Sequence, residues 1–124
     1  MIANAEMAVE ERSLSRVEPF LSERYRDEMG RQQKDLLRLL AGYYLRNQSI
    51  HLLVQINDIQ LSNEDSAAVT LYAALAGQPI TGTEQLLSFR ADLFRFDLQL
   101  RKEDDTWRLV SGKWRRASKS DFLE

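Results

Sequence analysis

The sequence carries one histidine, His51, and no cysteine, which removes thiolate nucleophiles, disulfides and Cys-based zinc or iron–sulfur sites together. Histidine titrates near pH ~6.5 and suits general-base work. No acidic residue stands at an orienting spacing from His51, however, and it shares its side of an alternating stretch with Gln55 and Asn57. Its ordinary role there is that of a polar residue at a strand edge. One His without Cys also argues against a transition-metal site, and no metal or cofactor is expected. Neither a Gly-rich phosphate loop, a nucleophile elbow nor an H-E-x-x-H pair occurs.

The remaining candidates are carboxylates and tyrosines. Asp58, Asp92 and Asp97 fall on or beside alternating stretches. Asp97 alternates with Arg95, Gln99 and Arg101, which predicts solvated cross-strand pairing. Asp92 opens its stretch. Tyr25, Tyr43 and Tyr44 could offer hydroxyls, since a buried tyrosine must find a partner for its O–H. Tyr25 and Tyr44 are the candidates for cavity lining. Arg90, Arg95, Arg101, Arg108, Lys113, Arg115 and Arg116 gather basic charge near the C-terminus, and a solvated sheet face is the ordinary explanation. Seventeen Lys and Arg against nineteen Asp and Glu leave a net charge of -2, so nucleic acid is not an expected partner.

The elements that would position these groups follow from periodicity. Ile2, Ala5, Ala8 and Val9 keep helical spacing, predicting a helix to Arg12. Ser15 with Glu18 has the form of a capping box for a short second helix carrying Val17 and Leu21, with Pro19 in its first turn. The clearest helix carries Leu36, Leu37, Leu40, Tyr43 and Tyr44 and ends at Asn47. At His51 the period becomes 2: Leu52, Val54 and Ile56 alternate with His51, Leu53, Gln55 and Asn57. Asn63, Glu64 and Asp65 have turn chemistry, and Val69, Leu71, Ala73 and Leu75 make a second strand stopped by Gly77 and Pro79. Residues 77 to 91 read as a longer connection. Phe94, Phe96, Leu98 and Leu100 form a third strand, Glu103, Asp104 and Asp105 the turn, and Trp107 to Ala117 the returning strand of a hairpin. Ser118 to Glu124 reads as a tail.

Helices first and strands last predict an α+β layer structure, and 124 residues of 14.4 kDa suit one domain over 1–124. Neither a repeat nor a linker divides the chain. No apolar run approaches the ~20 residues of a membrane-spanning helix. Met1 leads into the sequence without the pattern of a signal peptide; the compartment is left open between cytoplasm and periplasm.

Three features together resemble the nuclear transport factor 2-like (SnoaL-like, cone-shaped α+β) superfamily. They are the helix order, the segment Tyr25-Arg26-Asp27-Glu28-Met29-Gly30, and the closing strands Leu93-Phe94-Arg95-Phe96-Asp97-Leu98 and Trp107-Arg108-Leu109-Val110-Ser111-Gly112-Lys113-Trp114-Arg115-Arg116. The resemblance implies N-terminal helices held in the concavity of a strongly curved antiparallel sheet, a cystatin-like cone with a pocket at its wide end. It implies that Asp92 sits where such proteins place pocket groups and that Trp107 and Trp114 pack against the helices. Enzymes of the superfamily use a pocket Asp with a Tyr, or a His–Asp pair, and neither pairing is matched here residue for residue. The expectation is therefore a non-catalytic small-ligand-binding or protein-interaction domain. The alternative is a small isomerase or dehydratase acting on an apolar cyclic substrate, with Tyr44, Asp92 and His51 as its acid–base set. Tyr25, Tyr44, His51, Asp92 and Trp114 are the pocket candidates. A small apolar or amphiphilic ligand is the expected partner. A homodimer is also expected, because three helices cannot cover both faces of the sheet and Ala67, Ala68, Ala73, Ala74 and Ala76 would let another layer approach.

Overall fold

The computed structural model describes residues 2–76, 92–118, 120 and 121. The expected connection over 77–91, with Gly77 and Pro79, and most of the tail lie outside the described residues. Three helices come first: α1 (Ile2–Glu10), α2 (Leu14–Val17), which tightens into a 3-10 turn at Glu18–Phe20, and α3 (Gln33–Arg46). Four strands follow, β1 (His51–Asn63), β2 (Ser66–Ala76), β3 (Asp92–Glu103) and β4 (Thr106–Arg116). They form one antiparallel sheet in the order β1-β2-β3-β4, so the expected α+β segregation holds.

The hairpin turns are set by local chemistry. Asp104 and Asp105 both adopt positive φ, 50° and 61°, as the two central residues of a short right-twisted hairpin require. At the β1–β2 turn the Asn63 side chain accepts the Asp65 amide at 2.8 Å, an Asx turn. The helical cap differs from expectation. The Ser15–Glu18 box does not form: α2 starts at Leu14 after Ser13, and Glu18 opens the 3-10 turn with Pro19 in it. Reciprocal capping occurs instead before α3, where the Asp35 carboxylate accepts the Gln32 amide at 2.8 Å. Leu21 leaves the helix altogether. It is extended and bridges Leu109, and the amides of Ser22 and Arg26 donate to the carbonyls of Leu109 and Val110, so this segment covers the outer edge of β4. At the opposite edge the Glu10 carboxylate accepts the Leu52 amide of β1 at 3.0 Å.

Bulges divide the sheet's side chains. The β1–β2 register slips between Ile56 and Asp58, and the β3–β4 register between Gln99 and Leu100. One face therefore carries Val54, Val69, Leu71, Ala73, Phe96, Leu98, Leu100, Trp107 and Leu109 as a continuous core, joined by Ile2 of α1. The other face buries Ala74, Ala76 and Leu93 beside Leu53 and Tyr72. The alanine run is thus split: Ala67 and Ala73 belong to the first cluster, Ala74 and Ala76 to the second.

Candidate functional site

Between α3 and the concave face lies a cavity of about 270 Å³. Leu36, Leu39, Leu40 and Tyr43 form its helical wall; Phe94, Phe96 and Leu98 of β3 with Leu109, Gly112 and Trp114 of β4 form its sheet wall. Tyr25 closes one end. Of the expected stripe Leu36, Leu37, Leu40, Tyr43 and Tyr44, the residues Leu36, Leu40 and Tyr43 turn inward. Tyr44 faces α1 instead, because its hydroxyl finds a partner there, the Val9 carbonyl at 2.9 Å, and Arg12 lies 5.5 Å from its ring centroid.

The Tyr25 end is a buried hydrogen-bond knot. The Tyr25 hydroxyl donates to Asp27 Oδ2 at 2.7 Å and lies 3.4 Å from the Gly112 carbonyl. Asp27 also accepts the amides of Met29 and Arg31 and the Arg31 Nε. The turn that delivers these donors depends on Gly30, whose φ of +76° suits glycine. Arg31 then lays its guanidinium 4.0 Å from the centroid of the Trp114 ring, a cation–π contact that ties the knot to the cavity wall. Burial works to raise the Asp27 carboxyl, but the bonds from Tyr25 and Arg31 outweigh it and hold the group below the usual carboxylate range. Burial first, and then the bond to Asp27, push the Tyr25 hydroxyl above its ordinary value.

Asp92 stands by a second tyrosine on the wall. The Tyr43 hydroxyl donates to Asp92 Oδ2 at 3.0 Å, and Arg116 approaches Asp92 Oδ1 at 3.5 Å. Burial, reinforced by that carboxylate, pushes Tyr43 up to about 12. Of the five sequence candidates, then, Tyr25 and Trp114 line this cavity and Asp92 holds a lining residue; Tyr44 and His51 are not among the lining residues. His51 pairs with Ala76 whereas Asp92 pairs with Leu75, so the two point to opposite faces of the sheet. The set Tyr44, Asp92 and His51 is not brought together.

The other carboxylates behave as surface groups. Asp97 accepts Thr70 Oγ1 at 2.9 Å and Arg95 Nε at 3.2 Å. Burial raises it, and these bonds more than offset that, leaving it lowered. Asp58 accepts Gln60 on the exposed part of β1. The basic cluster is dispersed into pairs, among them Arg95 with Asp97, Arg108 with Glu103 and Arg116 with Asp92. Among the described residues no group of three or more His, Cys, Asp or Glu could hold a metal ion, and no helix is long and apolar enough to cross a membrane.

No family model matches the sequence, and no curated protein does. Solved structures do match in fold. A candidate scytalone dehydratase from Novosphingobium aromaticivorans superposes with a TM-score of 0.71 at 12% identity, over 94% of this chain and 79% of that one. An NTF2-like protein of unknown function in nutrient uptake from Rhodospirillum rubrum gives 0.68 at 17%, over 94% and 95%. Bdellovibrio bacteriovorus Bd1075 gives 0.69 at 12%; there the match covers 94% of this chain but only 38% of the other. The chain has the α+β cone fold of NTF2-like and cystatin-like proteins. Fold alone assigns no chemistry.

Proposed function

We propose that this chain is a non-catalytic binding domain that holds a small apolar or amphiphilic ligand between α3 and the concave face of the sheet. The observation that carries this reading is the state of the polar groups at the cavity. Asp27 accepts four hydrogen bonds and is held ionised, and the Tyr25 proton is committed to it. A general base needs a free lone pair and a pKa near the working pH, and Asp27 has neither. The walls, by contrast, offer burial to an apolar guest. A dry cavity of roughly 150 Å³ suffices for benzene, so 270 Å³ suits one or two fused rings.

The test is calorimetric titration with naphthalene, alongside the cavity-filling variant Leu40→Trp. Micromolar to submillimolar binding that disappears in the variant, with its circular dichroism unchanged, supports the reading. Binding that survives Leu40→Trp counts against it.

A second reading has one observation in its favour, the Tyr43–Asp92 pair at the cavity, and a fold shared with a candidate dehydratase. In an isomerase or dehydratase of this kind, Asp92 and Tyr43 would carry the proton steps on an apolar cyclic substrate. Self-association belongs to the same proposal: Ile56, Ile59 and Leu61 on edge strand β1 stand 47%, 52% and 69% exposed. Sedimentation of a 14.4 kDa species at micromolar concentration would refute the homodimer.

A further inference from the structure

Building on the ligand-binding reading, we propose that the cavity selects neutral ligands that bring their own hydrogen-bond donor, a hydroxyl or N–H on an apolar ring, and rejects carboxylates. A phenolic hydroxyl has one proton to give and lone pairs to accept with. Both tyrosines on the wall have already given theirs, Tyr25 to Asp27 and Tyr43 to Asp92. What each retains is acceptor capacity, and Tyr43, half-buried where Tyr25 is wholly buried, is the one that turns it toward a guest. Behind Tyr25, Asp27 is held as an acceptor by Arg31 and by the amides of Met29 and Arg31.

One further feature sharpens the selection. Of the nearby cations, Arg31 binds Asp27 and stacks on Trp114, Arg116 binds Asp92, and Arg46 acts on Tyr43 from the end of α3 without lining the cavity. Among the described residues no Lys or Arg lines the cavity. An anion entering would shed its water and meet an acceptor oxygen on a wall whose described residues carry no cation, which is strongly unfavourable.

Four ring-matched probes separate these terms at neutral pH: naphthalene, 2-naphthol, 2-methoxynaphthalene and 2-naphthoate, each titrated by calorimetry. 2-Naphthol should bind roughly three- to tenfold tighter than naphthalene, the range of one net hydrogen bond. 2-Methoxynaphthalene, an acceptor only, should bind no tighter than naphthalene, and 2-naphthoate at least about a hundredfold more weakly than 2-naphthol. The 2-naphthol advantage should shrink in Tyr43→Phe, which removes only a half-buried hydroxyl. If naphthalene binds but 2-naphthol gains nothing over it, or 2-naphthoate binds as well as 2-naphthol, donor selection is overturned while the binding cavity stands. If none of the four binds, the ligand-binding reading falls and takes this inference with it.

Discussion

The Tyr25 hydroxyl reaches Asp27 Oδ2 at 2.7 Å across a single intervening residue, with Tyr25 only 2% exposed and the Asp27 side chain equally hidden. Arg26 between them points outward, and its amide pairs with the Val110 carbonyl. The short extended segment along β4 therefore aims two residues inward, one to wall the cavity and one to organise the turn into α3.

Removing the two partners should cost very different amounts. Asp27→Ala leaves four buried or half-buried donors without their acceptor, and about 3 kcal/mol of stability should be lost. Tyr25→Phe removes one donor and keeps the ring, at about 1 kcal/mol. Urea melts of the two variants give the comparison; equal losses would mean that Asp27 does not organise the turn.

The same carboxylate predicts a pH dependence. Its folded pKa lies below its unfolded value of about 3.9, so its contribution is complete above that value and is lost as pH falls through the folded pKa. The stability advantage of the wild-type chain over Asp27→Asn should be constant from about pH 7 to 5 and should shrink below about pH 4. Taking the difference between the two proteins cancels Asp97, which is lowered in the same direction. An advantage that grows toward acid would contradict the assignment.

Arg12 should act as a clamp between the N-terminal helix and the end of α3. Its guanidinium donates to the Tyr44 carbonyl at 2.6 Å and also to the Gln48 carbonyl, satisfying groups that a helix C-terminus leaves open. Arg12→Ala should cost about 1 to 2 kcal/mol, and amide exchange should quicken in α1 and the last turn of α3. Arg12→Lys keeps the charge but not the fork, and should recover only part of the loss.

Much of the fold is legible because strands and long helices repeat their apolar residues at different periods. The β1 pattern even carries its bulge: apolar residues run Leu52, Val54, Ile56 and then Ile59, Leu61, and the phase slips where the register does. The face of α3 is harder to read. Leu36, Leu37, Leu40, Tyr43 and Tyr44 make a stripe wide enough to serve two neighbouring faces, and only the partner of the Tyr44 hydroxyl decides between them. Asp27 is hidden for another reason. It sits among Glu23, Arg24, Arg26 and Glu28, and nothing in a run of charges says which one turns inward; the spacing to Gly30 and Arg31 is the signal that was available. His51 and Asp92 could not be separated from sequence, since facing depends on register across β2.

The register itself yields the last prediction. Phe96 and Asp97 are neighbours on β3 with opposite partners: Phe96 pairs with Leu71 and Trp114, its ring centroid 6.2 Å from that of Trp114, while Asp97 pairs with Thr70 and Lys113 on the other face. Phe96→Ala removes a ring that packs against the core cluster, and about 3 to 5 kcal/mol should be lost. Asp97→Ala breaks a half-exposed pair with Arg95 and one hydroxyl bond from Thr70, which should cost about 1 kcal/mol. A slip of one residue would exchange the two side chains between faces and reverse the order. Paired urea melts decide it: a loss at Asp97 equal to or above that at Phe96 would put the carboxylate in the core and remove Phe96 from the cavity wall.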